Sequence, residues 1–309
     1  MNGDGKPSGQ LDLRDLPRRW RHCEQLRTFA QDSVARWDRR IACPRSVDER
    51  LVAGHRAYAA AERYLTTSDE NHDALASLLA HHGASATAPW NLLRPSFEAA
   101  FYALWLLSPS DSQQRRQRGV RLEWLDDIET EKFHRVALGN REVLQQLGLG
   151  DAAAKIPPYR ENTDTYVREA NATGLAFQTT RHRRQVNHRP ARVNVENELG
   201  GLFPEEGLMS LAHTTTWKTL SGIQHAEAGA LLRVTDRSSL GGYPGGQRLH
   251  LTINDGAFYL ACLVTASMRA FAWSRFGECH RPARSNEPVD LRAMRDMFTR
   301  YPAASSQDH

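Results

Sequence analysis

Three residues on one predicted helix carry groups that could act on a phosphate. In the stretch Thr214-Thr215-Thr216-Trp217-Lys218-Thr219-Leu220-Ser221-Gly222-Ile223-Gln224-His225, the residues Lys218, Ser221 and His225 are spaced i, i+3 and i+7. At about 100° per residue they share one helix face, with roughly 10.5 Å between the first and last Cα atoms. An imidazole of ordinary pKa, about 6.5, can take a proton from a ribose hydroxyl or give one to a leaving oxygen. The ammonium group of Lys218 would stabilise the charge that develops on the phosphorus oxygens. No metal is needed for that chemistry. The competing assignment for His225 is a core histidine hydrogen-bonded to Glu98.

A second constellation lies on the apolar stretch PWNLLRPSFEAAFYALWLL, from Pro89 to Leu107, where Arg94 and Glu98 are four residues apart and stack one above the other on a helix. Burying either charge alone is costly. Pairing them, with each other or with His225 and Lys218, offsets the cost, so they form a structural ion pair or part of a binding face. The run Arg181-His182-Arg183-Arg184, with His188 and Arg189 after it, supplies cations for nucleic acid or is a solvated loop. Glu131-x-x-His134 has the spacing that a di-iron bundle uses on one helix, but no second copy occurs. Ser238 to Gly246 is Gly-rich without the Lys-Ser/Thr ending of a phosphate-binding loop and is read as plain loop.

Composition bounds these assignments. With 309 residues, 40% hydrophobic and 25% charged, the chain is globular and long enough for a substantial core. The net charge of +4 and pI near 9.0 suit anionic partners. Only four of the 40 basic side chains are lysines, and arginine grips phosphate and carboxylate through its planar fork. Cys23, Cys43, Cys262 and Cys279 are scattered, which argues against a zinc ribbon or redox dithiol. The opening MNGDGKPSGQ lacks the regions of a signal peptide, and no apolar run reaches bilayer length. A cytoplasmic protein without membrane contact is expected.

The elements that must position these groups read as helices. A flexible arm over residues 1–16 precedes a single helical domain over 17–280, with a C-terminal helix and tail over 281–309. Charged and apolar periodicity predicts helices over Pro17–Ile41, from a Ser46-x-x-Glu49 capping box to Thr66, and over Asn71–His82. Others follow over Pro89–Leu107, kinked or begun at Pro95, over Asp111–Leu138, and around Arg141–Leu147. Residues 148 to 201 read as short helices and one long irregular basic loop. The central helix runs from about Glu205 to Arg233, a short strand or connector covers Arg248–Ile253, and Asn254 or Asp255 caps a long core helix from Ala257 to Phe276 that stops at Gly277. A last amphipathic helix covers Asp290–Tyr301. The class is all-α, with a core expected around Phe97, Phe101, Leu104, Leu220, Leu231, Phe258 and Leu263.

Two resemblances bear on function. The segments LLRPSFEAAFYALWLL, RRQRGVRLEWLDDIETEK and WKTLSGIQH resemble a group of actinobacterial helical proteins that is similar to the HEPN superfamily, over roughly 89–138 and 214–276. That likeness implies a helical bundle, metal-independent ribonuclease activity or RNA and nucleotide binding, and a homodimer in which two His-bearing helices face a shared groove. By position His225 is the motif's histidine and Lys218 stands where the family has arginine; a point charge lacks the arginine fork. Asp126, Asp127 and Asn254 loosely resemble the magnesium-binding set of class I terpene synthases, which implies an Mg2+-dependent cyclase acting on an isoprenyl diphosphate. Thr130, Phe258 and Cys262 depart from that pattern.

Overall fold

The computed structural model describes residues 13, 16–38, 40–83, 85–139, 145–146, 148, 159–182, 185–203, 207–243 and 246–282. Among them the chain forms α1 (Leu16–Ala35), α2 (Pro44–Asp48), α3 (Arg56–His82), α4 (Ala88–Leu107), α5 (Ser112–Gly139) and α6 (Tyr159–Thr173). A hairpin of β1 (Phe177–His182) and β2 (Gln185–Pro190) leads to α7 (Val195–Leu202), α8 (Gly207–Gln224) and α9 (Ala228–Arg233). A second hairpin, β3 (Thr235–Tyr243) and β4 (Gly246–Ile253), precedes α10 (Asp255–Cys279). The fold is predominantly helical, and each sheet has only two strands.

α10 is the helix around which the others pack. Its mean composition is apolar enough for a membrane span, but 78% of that window is buried inside the protein, chiefly against α1 and α4. Asn254 caps it by accepting a hydrogen bond from the Ala257 amide at 2.9 Å, and the helix runs past Gly277 to Cys279. Gly277 is a packing position and not a stop: a Cβ there would lie 3.1 Å from the Ala30 Cα of α1. Trp90 meets Phe258 edge-on at 5.0 Å, and Phe97, Phe101, Leu104, Leu220 and Leu263 are all buried with them, while Leu231 is partly buried. Each fully buried side chain of this kind contributes about 1.5–3 kcal/mol.

Charged groups inside this core lock the helices in register. Arg269 of α10 is 1% exposed, and its Nη2 bonds Asp69 Oδ1 of α3 at 2.6 Å. Trp273 Nε1 donates to the same oxygen, and Glu24 and Arg27 of α1 approach from the other side. On the far flank Arg115 of α5 makes a two-pronged bond to the fully buried Asp48 at 2.7 and 2.9 Å, and the Tyr58 hydroxyl donates to the same carboxylate. A smaller cluster, with Trp124 stacked on Tyr166 at 5.9 Å and touching Phe177, holds α6 and the first hairpin against α5.

Several sequence expectations need correction. The two helices expected up to Thr66 and from Asn71 are one, α3, because Thr67-Ser68-Asp69 contains no glycine or proline and turns its polar groups inward: Ser68 bonds the Ser96 carbonyl and Asp69 bonds Arg269. Ser46 is not the cap of that helix; it answers Cys43 in a cap for the short α2. Pro95 lies inside α4, which starts at Ala88. The basic segment is not an irregular loop but the β1–β2 hairpin, in which Thr179 faces His188 and Gln178 faces Arg189. Likewise, the Gly-rich loop belongs to the β3–β4 hairpin, whose pairing is irregular between Ser239 and Gly242. The helix around Arg141–Leu147 lies largely outside the described residues, as do the helix over Asp290–Tyr301 and all of the N-terminal arm but Leu13 and Leu16.

The central helix breaks where the sequence suggested continuity. Ala226 takes a left-handed conformation at φ 53°, the Glu227 amide reaches back to the Gly222 carbonyl at 2.9 Å, and the Ala226 amide bonds Ile223. This is a Schellman cap with alanine in the position that usually needs glycine. Gly222 makes the return path fit, since a Cβ there would sit 2.7 Å from the Ala230 Cβ of α9.

Removing Asp69 leaves the buried Arg269 without its main anion. Asp69→Ala is expected to lower the unfolding free energy by about 3–5 kcal/mol, and Asp69→Ala with Arg269→Met to recover most of that loss, because a buried pair replaced as a whole is close to neutral. Urea titrations of the two variants check this; equal destabilisation by both would refute it.

Candidate functional site

The residues singled out on the central helix do not form one closed site. Lys218 is 60% exposed and pairs with Glu196 of α7 at 2.7 Å. Ser221 is half-buried one turn on, and His225 is the exposed C-cap residue of α8, with no hydrogen bond or ion pair from its ring among the described residues. The assignment of His225 as a core histidine bonded to Glu98 is therefore wrong. The core histidine of α8 is His213, which no sequence motif marks. Its Nδ1 donates to the Met209 carbonyl at 2.7 Å, Nε2 lies 3.0 Å from Ser267 Oγ of α10, and its ring stacks on Phe203 at 4.7 Å. Burial lowers its pKa to about 4, against a smaller opposing effect of the Met209 bond, so it is neutral near pH 7.

The pair on α4 is where charge and aromatic surface converge. Arg94 and Glu98 approach to 3.5 Å, and the Arg94 guanidinium lies 5.1 Å from the Trp217 ring centroid of α8. Arg94 Nε and Nη1 are buried with no hydrogen-bond partner among the described residues. Burial raises the Glu98 carboxyl above its ordinary range despite the pull of Arg94. Tyr102 follows one turn later, giving the row Arg94, Glu98, Tyr102 along one edge of α4. That row is visible in the sequence as an i, i+4, i+8 pattern.

Beside Tyr102 opens a cavity of about 540 Å³ that no sequence pattern marks, because its walls come from four separate segments. Tyr64 of α3 stacks on Tyr102 with ring centroids 5.2 Å apart and planes 29° from parallel. Leu122, Leu125, Asp126 and Glu129 of α5 form one wall, and Arg192 and Val193, just after the first hairpin, form another. Asp126 is half exposed and meets Arg63 at 3.3 Å, while the stronger bond of Arg63 goes to Glu123 at 2.6 Å. Burial raises the Asp126 carboxyl against the pull of Arg63. Glu129 Oε1 collects Lys132 at 2.7 Å, Arg192 at 3.5 Å and Arg189 at 3.7 Å, which ties the hairpin exit to α5. Both phenols stay protonated near neutral pH, Tyr102 being pushed up to about 12 by burial and by the charges of Glu98 and Asp126.

The remaining candidates are dispersed. Arg181 lies on β1, opposite Val186 across the hairpin, and Arg183 and Arg184 lie outside the described residues. Asp127 accepts a bond from Asn162 of α6 at 2.8 Å, and Asn254 is engaged by the α10 cap and by Asp236 of β3. Asp126, Asp127 and Asn254 thus serve three different contacts. Among the described residues no group of three or more His, Cys, Asp or Glu side chains is placed to hold a metal ion. Glu131 bonds Arg135. The four cysteines are buried and unpaired with one another.

Comparison with protein-family models, with curated proteins and with solved structures finds no match for the chain.

Two outcomes follow from the histidines. His225→Ala should change stability by no more than about 0.5 kcal/mol, as expected for an exposed residue whose ring has no partner among the described residues; a melting-temperature shift of several degrees would contradict that exposure. His213 acts in the opposite sense. With its folded pKa lowered to about 4 from 6.5, the unfolded chain binds the proton more readily between those values, so stability falls as pH drops through that window and levels off below it. The loss amounts to about 3 kcal/mol, since each tenfold change in proton affinity is worth about 1.36 kcal/mol. Urea unfolding from pH 7 to pH 4 should show a shallower loss for His213→Gln than for the wild type, and identical pH slopes would refute the assignment.

Proposed function

We propose that this protein binds RNA or a nucleotide, with a base received at the Tyr64–Tyr102 cavity and phosphate drawn to the arginines at its edge. One observation carries the reading: two stacked tyrosines open onto a cavity of about 540 Å³ beside Arg192, a guanidinium that is 72% exposed and held only at 3.5 Å. That volume falls within the usual range of small-ligand pockets, about 300–1,000 Å³. Aromatic faces next to flexible arginines are the elements with which proteins hold unstacked bases. The resemblance of the segments LLRPSFEAAFYALWLL, RRQRGVRLEWLDDIETEK and WKTLSGIQH to the HEPN superfamily would make RNA the polymer, and the excess of arginine suits an anionic partner.

A ribonuclease reading is favoured by one feature, the open ring of His225 one turn beyond Ser221, from which an imidazole could reach a ribose 2′-OH. Against it stands the neutralisation of Lys218 by Glu196. A cyclase reading has Asp126 alone at the cavity.

Fluorescence anisotropy of a labelled single-stranded oligoribonucleotide tests the proposal. Tyr102→Ala should weaken binding by about 5- to 150-fold, the scale of a lost base–aromatic stack of about 1–3 kcal/mol. Arg192→Ala should weaken it less and reduce its salt dependence, while His225→Ala should leave it unchanged. Unaltered affinity in Tyr102→Ala would refute the site. Cleavage that persists in EDTA and is abolished by His225→Ala would establish the ribonuclease instead.

A further inference from the structure

The polar atoms around the cavity are unevenly distributed. Asp126 contributes a carboxylate whose Oδ1 has no hydrogen bond among the described residues and whose Oδ2 is only 3.3 Å from Arg63. Glu129 contributes a second carboxylate, with its cations gathered on Oε1 alone. The other walls are Leu122, Leu125 and Val193, and Arg192, 72% exposed and paired with Glu129 at 3.5 Å, lines the cavity at the hairpin exit. A ligand seated against α5 therefore meets hydrogen-bond acceptors, with an arginine available for an anion at the edge.

Resting on the nucleotide reading above, we infer that the cavity selects guanine, with Asp126 pairing the N1–H and N2–H2 edge of the base, the ring stacked on the tyrosine pair and the phosphate on Arg192. An ionised carboxylate only accepts, and it has two oxygens and about four lone-pair sites, so it takes two parallel N–H donors, as it does from arginine. Among the four common bases only guanine places two such donors side by side on its pairing edge. Adenine sets a ring-nitrogen lone pair beside its amino group, and cytosine does the same. Uracil flanks its one N–H with two carbonyl oxygens. Each of those edges would aim a lone pair at the carboxylate, which repels it, whereas the guanine edge offers it two donors. Arg63 leaves room for the pairing, since its shorter bond goes to Glu123 at 2.6 Å, Asp126 Oδ2 keeps a second lone pair beside the 3.3 Å contact, and Oδ1 has no hydrogen bond among the described residues.

The test measures dissociation constants of the full-length protein for 5′-GMP, 5′-IMP, 5′-AMP, 5′-CMP and 5′-UMP by calorimetry. The expected result is tightest binding of GMP, with IMP about tenfold weaker because it lacks the 2-amino group, a difference of one good hydrogen bond to a charged acceptor. Asp126→Asn, which sets one donor beside one acceptor, should erase the preference for GMP and raise AMP affinity, because that pair matches the ring nitrogen and amino group of adenine, with an unaltered circular dichroism melt confirming the fold. Equal affinities for all five nucleotides in the wild type would overturn the guanine assignment while the nucleotide reading stands. Retention of the GMP preference in Asp126→Asn would overturn the role of Asp126. No measurable binding of any nucleotide, together with binding of spermidine, would overturn both and assign the carboxylates to an organic cation.

Discussion

The interaction on which the architecture depends is the ion pair between Arg269 and Asp69 at the centre of the bundle. A guanidinium with 1% exposure is strongly destabilising without an anion, so the helix that carries it, α10, can dock in only one rotation and one axial position against α3. Trp273, one turn further along α10, reports the same register by bonding the same carboxylate oxygen. α1 then closes over the pair with Glu24 and Arg27, and Gly277 lets it approach to within van der Waals contact. Apolar burial supplies the energy of this core; the charges decide which of many apolar packings is adopted.

That choice determines which side of α4 is left open. Its inner side is consumed by Phe97, Phe101 and Leu104 against α10 and α3, so Arg94, Glu98 and Tyr102 fall along the edge that meets α8 and α5. Arg94 is kept there by the Trp217 ring, which receives a cation's charge without neutralising it. Tyr102 finds Tyr64 because α3 is a single long helix. Had α3 broken near residue 67, as its polar stretch suggested, Ser68 could not have met Ser96 and the two tyrosines would not be fixed relative to each other. The cavity is thus a consequence of helix continuity, and its edge is set by the first hairpin, anchored through Phe177 on Trp124 and through Arg189 and Arg192 on Glu129.

The limits of sequence reasoning have specific physical causes. The break in the central helix rests on Ala226, a residue whose side chain disfavours the left-handed region, and on a close approach across Gly222 that depends on where α9 lies. Local propensity points the other way. The hairpins are obscured by composition: Phe177 to Pro190 is rich in arginine and histidine, and its pairing partner becomes evident only through the register that sets Phe177 opposite Pro190. His225 is a better candidate by spacing than by environment. His213 has no motif around it, yet it is the histidine of α8 that the fold perturbs.

From the sequence alone came the helical class, the core helix from Ala257 onward with its asparagine cap, the apolar helix before Leu107 and the neighbourly spacing of Arg94 and Glu98. These rest on period and capping chemistry, which act over a few residues and are written in the chain. Only the tertiary structure decided that Lys218 is paired with Glu196, that His225 stands in water, and that Tyr64, Tyr102, Asp126 and Arg192 share one cavity. Those outcomes join segments up to 128 positions apart, Tyr64 to Arg192, and a contact of that range is selected by the free energy of the whole packed core, which no local pattern encodes.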